Sequence, residues 1–414
     1  MDNAESAAAL PRAGFSGDTL LVIAACAAVF FLDGLIHTVM GPLAPYVAPD
    51  LRLGLTDLGP VFSANLVGQT IGLLAFPLLA GRIGHRPLIV LSAVGFALAQ
   101  WATATAWDAA SLFAFRLVDG IFLGGCMPSC LALVANTAPP ARKGMAVTIL
   151  FTGYGLGATM SGIVAAGFEP HGGWRAAFMF IGCLSAASAL FGWWALRGEA
   201  ALVAPERAGQ GGWHGFSDIF TPRLLAGTVL LWLLFIAMLT IQYCLSSWLP
   251  TLLVQVGREA DFAALSVTIF SLGGIIAALG VGVLIDRFGA TRVLASFLCL
   301  ATILLFVTGQ VLASASSTML MLLLATCGFF FLGAYGGINV ILATYYPLHL
   351  QALGIGLAKS VGRIGTFLAP ILIGMGLTAG MAATSLMSIF AVPAALAVAS
   401  ILALAASAKA AGGD

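Results

Sequence analysis

Long apolar runs alternate with short polar breaks along the whole chain. Twelve runs can be marked, at about 20–42, 58–79, 87–106, 109–135, 145–167, 174–196, 223–250, 262–285, 291–313, 318–343, 352–376 and 381–406. Each is near the ~20 residues that a helix needs to cross a bilayer. The pattern therefore predicts an all-α integral membrane protein with twelve spans.

A short polar device occurs twice between these runs. The first copy is Gly81-Arg82-Ile83-Gly84-His85-Arg86-Pro87, and the second runs from Gly282 through Asp286, Arg287 and Gly289 to Arg292. Arg82 and Arg287 lie 205 residues apart in a chain of 414 (287 − 82 = 205), close to half its length. Each copy is a tight basic turn between two apolar stretches. Duplication at half length predicts two similar six-helix bundles, the construction of secondary transporters. The longest interior break, Arg197 to Pro222, reads as their linker. The expected division is 1–196, a linker over 197–222, and 223–414. The end of the linker, with Trp213, Phe216, Ile219 and Phe220, reads either as a short interfacial helix or as a loop with aromatic anchors.

Composition excludes a water-covered surface. The chain is 61% hydrophobic and 8% charged, with a mean hydropathy of +1.07, against roughly 25% charged residues in a soluble domain. A net charge of +1 without a basic run argues against nucleic-acid binding. The segment Met1–Asp18 lacks the basic region and cleavage site of a secretory signal, so the first span is expected to be retained. All seven cysteines fall inside spans, so no disulfide framework is expected. Cys126 and Cys130, four apart, read as packing residues rather than a metal site. With both termini inside, eleven Lys and Arg fall on the cytoplasmic side and three in outer loops. This positive-inside bias predicts a multi-pass protein of the bacterial inner membrane with cytoplasmic termini.

Several motifs carry a family resemblance. Two six-helix halves with basic turns after spans 2 and 8 resemble the major facilitator superfamily. The run Arg116-Leu117-Val118-Asp119-Gly120-Ile121-Phe122-Leu123-Gly124-Gly125-Cys126-Met127-Pro128 is similar to span 4 of its aromatic acid:proton symporter branch. So are Tyr243 to Thr251 in span 7, Tyr346-Pro347 with Gly354, Gly362-Arg363-Ile364-Gly365 in span 11, and Asp33-Gly34 in span 1. The resemblance covers nearly the whole chain. It implies that spans 1 and 4 line a central cavity and that the basic turns act as gate parts on the cytoplasmic side. The chain also departs from the branch. Leu35, Ile36 and His37 follow Asp33 where a second acid is usual. Gly81 stands where an Asp normally precedes Arg82, Gln351 stands in place of an Arg, and Asp119 in place of a small or hydroxyl residue.

Charges inside spans are costly, ~2.5–3.5 kcal/mol each on insertion scales, and mark function. The acids well inside are Asp33 and Asp119; the bases are Arg116, Lys359 and Arg363. A buried carboxyl that can change protonation near neutral pH is what a proton-coupled carrier needs, and Asp33 with His37, four residues on, is placed to supply it. The alternative is that Asp33 pairs permanently with Arg116. Arg116 and Asp119, three apart, read as a local ion pair or as a switch in which Arg116 alternates between the two acids. Lys359 and Arg363 share a helix face, and a carboxylate between them would relieve their repulsion; Lys359 alternatively snorkels to the surface. Phe122, Phe151, Tyr154, Gln242, Tyr243, Trp248, Tyr335 and Asn339 are the aromatic and polar cavity candidates. The gate candidates are Gly81, Arg82, Arg86, Asp286, Arg287 and Arg292.

These features predict a monomeric symporter without a cofactor, driven by the proton gradient. Its partners are protons, the bilayer and a small organic anion; buried charges supply anion and proton, and the resemblance supplies an aromatic carboxylate. The rivals are a proton-driven exporter of drugs or metabolites, a carrier of non-aromatic organic acids, a transport-like sensor, and a membrane enzyme. The last is opposed by the lack of P-loop, HExxH and GxSxG patterns.

Overall fold

The computed structural model describes residues 15–139, 142–168, 172–197 and 216–411. The first bundle holds α1 (Gly17–Asp50), α2 (Leu55–Ile83), α3 (His85–Ala104), α4 (Ala109–Thr137), α5 (Lys143–Phe168) and α6 (Gly173–Ala195). A short α7 (Phe216–Ile219) precedes the second bundle of α8 (Pro222–Gln255), α9 (Ala260–Phe288), α10 (Ala290–Val311), α11 (Ser317–Tyr345), α12 (Leu348–Thr378), α13 (Ala383–Ile389) and α14 (Ala391–Ala411). Counting α13 and α14 as one span, twelve spans among the described residues are long and apolar enough to cross a membrane. The linker residues 198–215, Trp213 included, lie outside the described set.

The duplication read from the basic turns extends to whole helices. α1 and α8 begin and end 205 residues apart (222 − 17 = 255 − 50 = 205), and so do α2 and α9 (260 − 55 = 288 − 83 = 205). The turn glycines match as well. Gly84 and Gly289 have φ of 85° and 86°, and each caps one helix and opens the next. Only glycine adopts that conformation without strain, so both basic turns reverse the chain in a single residue.

Several helix ends follow from local chemistry. Asp108 accepts from the Ser111 backbone N–H at 2.8 Å, and the Ser111 hydroxyl accepts from the Asp108 N–H at 3.1 Å, a reciprocal cap on α4. The apolar runs set the membrane-crossing parts, not the helix lengths. α1 continues beyond residue 42 to Asp50 across Pro42, Pro45 and Pro49. Its last turn is tied down by Asp50, which holds Arg175 and accepts from the Trp174 indole at 3.0 Å. The last span, read as one run over 381–406, is broken at Phe390. Pro393 has no N–H to offer the Ile389 carbonyl, which interrupts the ladder there.

Backbones within each bundle approach closely through glycine. Gly34 lies against the Tyr154 carbonyl and Gly157 against the Phe31 carbonyl, joining α1 to α5. Gly273 lies against the Ala325 carbonyl and Gly328 against the Phe270 carbonyl, joining α9 to α11. A side chain at any of them would collide with backbone, which cannot move aside cheaply.

The bundles meet tightly at the end away from the chain termini. Tyr46 donates to Asp261 at 2.6 Å, Thr268 donates to the Thr159 carbonyl at 2.6 Å, and Ser63 donates to the Phe367 carbonyl at 3.0 Å. Gly41 lies against the Ser246 carbonyl and Gly162 against that of Ala264. At the other end the surfaces part. On α5, Met145, Thr148, Phe151 and Thr152 are exposed, and on α9 so are Ile276 and Leu279. The molecule is closed at the far end and open toward its termini.

Candidate functional site

Charge and aromatic groups converge at mid-depth, where the bundles meet. Asp33 on α1 is fully buried, and neither carboxylate oxygen has a hydrogen-bond partner. The charged groups facing it are Asp119 and Arg363. Tyr154 and Tyr243 lie within electrostatic reach of Asp33 and Arg363, and Tyr335 within that of Tyr154, Tyr243 and Arg363. Arg363, Tyr154, Tyr243 and Tyr335 are half-buried, whereas Asp33 is fully buried. Five residues singled out from sequence, on helices α1, α5, α8, α11 and α12, thus form one cluster.

His37, one turn beyond Asp33, packs between bundles. Its ring is edge-on to Tyr243 at 4.8 Å and tilted against Tyr154 at 6.4 Å. Its Nδ1 has no partner, and Asn65 stands beside it.

Arg116 and Asp119 form a second polar layer on α4. Arg116 Nη1 donates to Asp119 Oδ2 at 2.9 Å, and Nη2 donates to the Ile36 carbonyl of α1 at 3.0 Å. Asn65 Nδ2 donates to the same Asp119 oxygen at 3.1 Å, and Gln100 stands beside it. Arg116 is 1% and Asp119 0% exposed, so the pair is out of water altogether. In this state Arg116 holds Asp119, and the alternative pairing of Asp33 with Arg116 is not made. The sequence reading missed Asn65 and Gln100. Their signal was faint: uncharged polar residues among others in spans 2 and 3.

The remaining candidates are dispersed. Gln242 is half-buried, with Oε1 unpartnered. Trp248 is fully buried at the far-end closure, edge-on to Phe62 at 5.2 Å and beside Gly374, away from the tyrosine cluster. Phe122 packs on Phe76, and Phe151 is exposed beside Phe30. Lys359 lies one turn from Arg363 toward the open end and is exposed. The side chain of Asn339 on α11 lies outside the described set. Gly81 is in the last turn of α2, Arg82 is exposed and Arg86 half-buried; Asp286, Arg287 and Arg292 are exposed. Arg287 lies over the Phe288 ring at 5.3 Å.

Two duplicated six-helix bundles, meeting around ionisable side chains at mid-membrane, are the architecture of a secondary transporter. The Major Facilitator Superfamily model matches residues 26–370. The chain belongs to that superfamily and is a membrane transporter, not an enzyme. Among similar proteins, the gallate transporter of Pseudomonas putida is 30% identical over 410 residues, covering 92% of this chain and 91% of the relative. The 4-hydroxybenzoate transporter PcaK of Pseudomonas aeruginosa is 30% identical over 414 residues, with 92% and 91% covered. A crystal structure of a D-xylose-proton symporter superposes with a TM-score of 0.78 at 15% identity, covering 93% of this chain and 97% of that one, a likeness of fold.

Proposed function

We propose that the protein imports an aromatic carboxylate together with protons by alternating access across the bacterial inner membrane. The observation that carries this reading is the cluster at mid-depth: a guanidinium, Arg363, within electrostatic reach of three tyrosines and of the unpartnered Asp33. Arg363 offers N–H donors to a carboxylate, and Tyr154, Tyr243 and Tyr335 offer rings to stack and hydroxyls to bond. Asp33, fixed by no ion pair, is free to take and give a proton as the cavity changes sides. Asp119, held by Arg116, is the second carboxyl in its field. The relatives named for gallate and 4-hydroxybenzoate support an aromatic acid. The excess of Lys and Arg on the termini side supports a cytoplasmic position for it, and on that reading the open end faces inward. The protein works as a monomer and holds no cofactor; the proton gradient drives it.

The test is uptake of 4-hydroxybenzoate by proteoliposomes with the outside acidified. Accumulation that collapses with a protonophore is expected. Absence of accumulation, with proton influx instead driving efflux of a preloaded neutral compound, would favour the exporter.

The incomplete first turn bears on the gate. If the family's Asp before Arg82 latches the cytoplasmic side, Gly81→Asp adds a contact present in the outward-facing state alone. Such a contact shifts the equilibrium by its differential energy. Cysteine accessibility at the two cavity mouths, in a background lacking the seven native cysteines, is expected to rise outside and fall inside. Unchanged labelling would leave the turn a topology signal.

A further inference from the structure

The helices α2 and α12 run antiparallel across the bundle interface and part at one definite point. From the far end inward, Gly59 lies against Ile371, Ser63 bonds the Phe367 carbonyl, and Thr70 meets Arg363. Beyond that pair the helices separate. Leu74 is 71% exposed, Lys359 and Ser360 are exposed, and no atom lies within 4 Å of where a side chain at Gly356 would begin. Thr70 and Arg363 are thus the innermost tooth of a zipper, at its fork.

The hydrogen bonds at the fork have a fixed sense. The Thr70 hydroxyl donates to the Leu66 carbonyl one turn back, at 3.0 Å. Its proton is committed there, so a lone pair faces Arg363, whose Nη1 donates to it at 3.3 Å. A neutral hydroxyl at that distance is a weak acceptor, and a carboxylate is a stronger one.

We infer that Thr70 is a positioning residue that parks Arg363 at the fork of the empty carrier, and that the substrate carboxylate displaces it. This rests on the reading of Arg363 as the anion anchor. The guanidinium then serves two partners in turn. In the empty carrier it ties α12 to α2 and completes the far-end closure. When a carboxylate takes Nη1, the tooth nearest the fork is released and the closure weakens. Loading and gate movement share one donor, so a ligand biases the gate by the difference in its affinity for the two states.

Thr70→Val keeps the shape and removes the acceptor; Thr70→Ser restores it. Two measurements on the purified full-length carrier test the idea. The first is binding of 4-hydroxybenzoate and of 4-hydroxybenzamide. The second is labelling, without ligand, of a single cysteine at Leu55, which lies beside Gly374 in the far-end closure. Losing one competing hydrogen bond is expected to tighten binding of the acid about fivefold in Thr70→Val, with the amide unchanged. Labelling at Leu55→Cys is expected to rise severalfold, and Thr70→Ser to match the wild type in both. Unchanged labelling, or Thr70→Ser behaving as Thr70→Val, would overturn the inference and leave Thr70 a packing residue. Raised labelling with equal changes for acid and amide would overturn displacement by substrate, and would locate the fault in the anion reading rather than in the fork. If Thr70→Val does not fold, Thr70→Ala gives the same readouts.

Discussion

Asp33→Asn is expected to abolish proton-driven accumulation while leaving ligand binding and equilibrium exchange intact. One proton moved down one pH unit supports about a tenfold substrate gradient, since 1.4 kcal/mol is a factor of ten. The variant carries no titratable group at that position, so its internal concentration should only reach the external one. Local cost is small, because neither Asp33 oxygen has a partner to lose and Asn has the same shape. Proteoliposome uptake with and without a pH gradient, beside counterflow exchange, measures both halves of the expectation. Undiminished gradient-driven uptake would remove Asp33 from the proton path and shift attention to Asp119, the other carboxyl facing it.

Arg363→Ala is expected to weaken carboxylates far more than their amides. Truncating one partner of a desolvated, hydrogen-bonded charge pair costs ~2–5 kcal/mol. Arg363 is half-buried, which sets the expectation near the lower end, about 2–3 kcal/mol, or roughly 30- to 150-fold in Kd. The amide, which carries no charge for Arg363 to hold, should be little changed. Thermal shift or calorimetry with 4-hydroxybenzoate and its amide reads the difference. Equal losses for the two would make Arg363 a tether between bundles and nothing more.

Both residues were legible in the sequence, for a simple reason. A charge inside a long apolar run stands out, and its cost in lipid makes a structural accident rare. Tyr154, Tyr243 and Tyr335 were legible as candidates, but their meeting was not, because they sit on three helices from two bundles. Trp248 shows the limit of the same reasoning: on sequence it ranked with those tyrosines, yet it fills the far-end closure against Phe62. Thr70, Asn65 and Gln100 escaped notice because an uncharged polar residue in a span is commonplace. Their roles depend on which partner crosses from the next helix, and no periodicity encodes that. The twelve spans were read from apolar length alone. The break at Phe390 was not, since a proline inside an apolar run is silent until the helix it interrupts has been placed.

The repeat of 205 residues is close in backbone and uneven in chemistry. α1 and α2 are matched in length by α8 and α9, but the buried carboxyls, Asp33 and Asp119, belong to the first copy and the guanidinium facing Asp33 belongs to the second. On the proposed reading, the two copies share one backbone plan, the carboxyls that would carry the proton belong to the first, and the guanidinium that would hold the anion belongs to the second. Such a division lets each inheritance drift separately. If that reading holds, changes around Arg363 in the second copy would alter the cargo while the carboxyls of the first are left untouched.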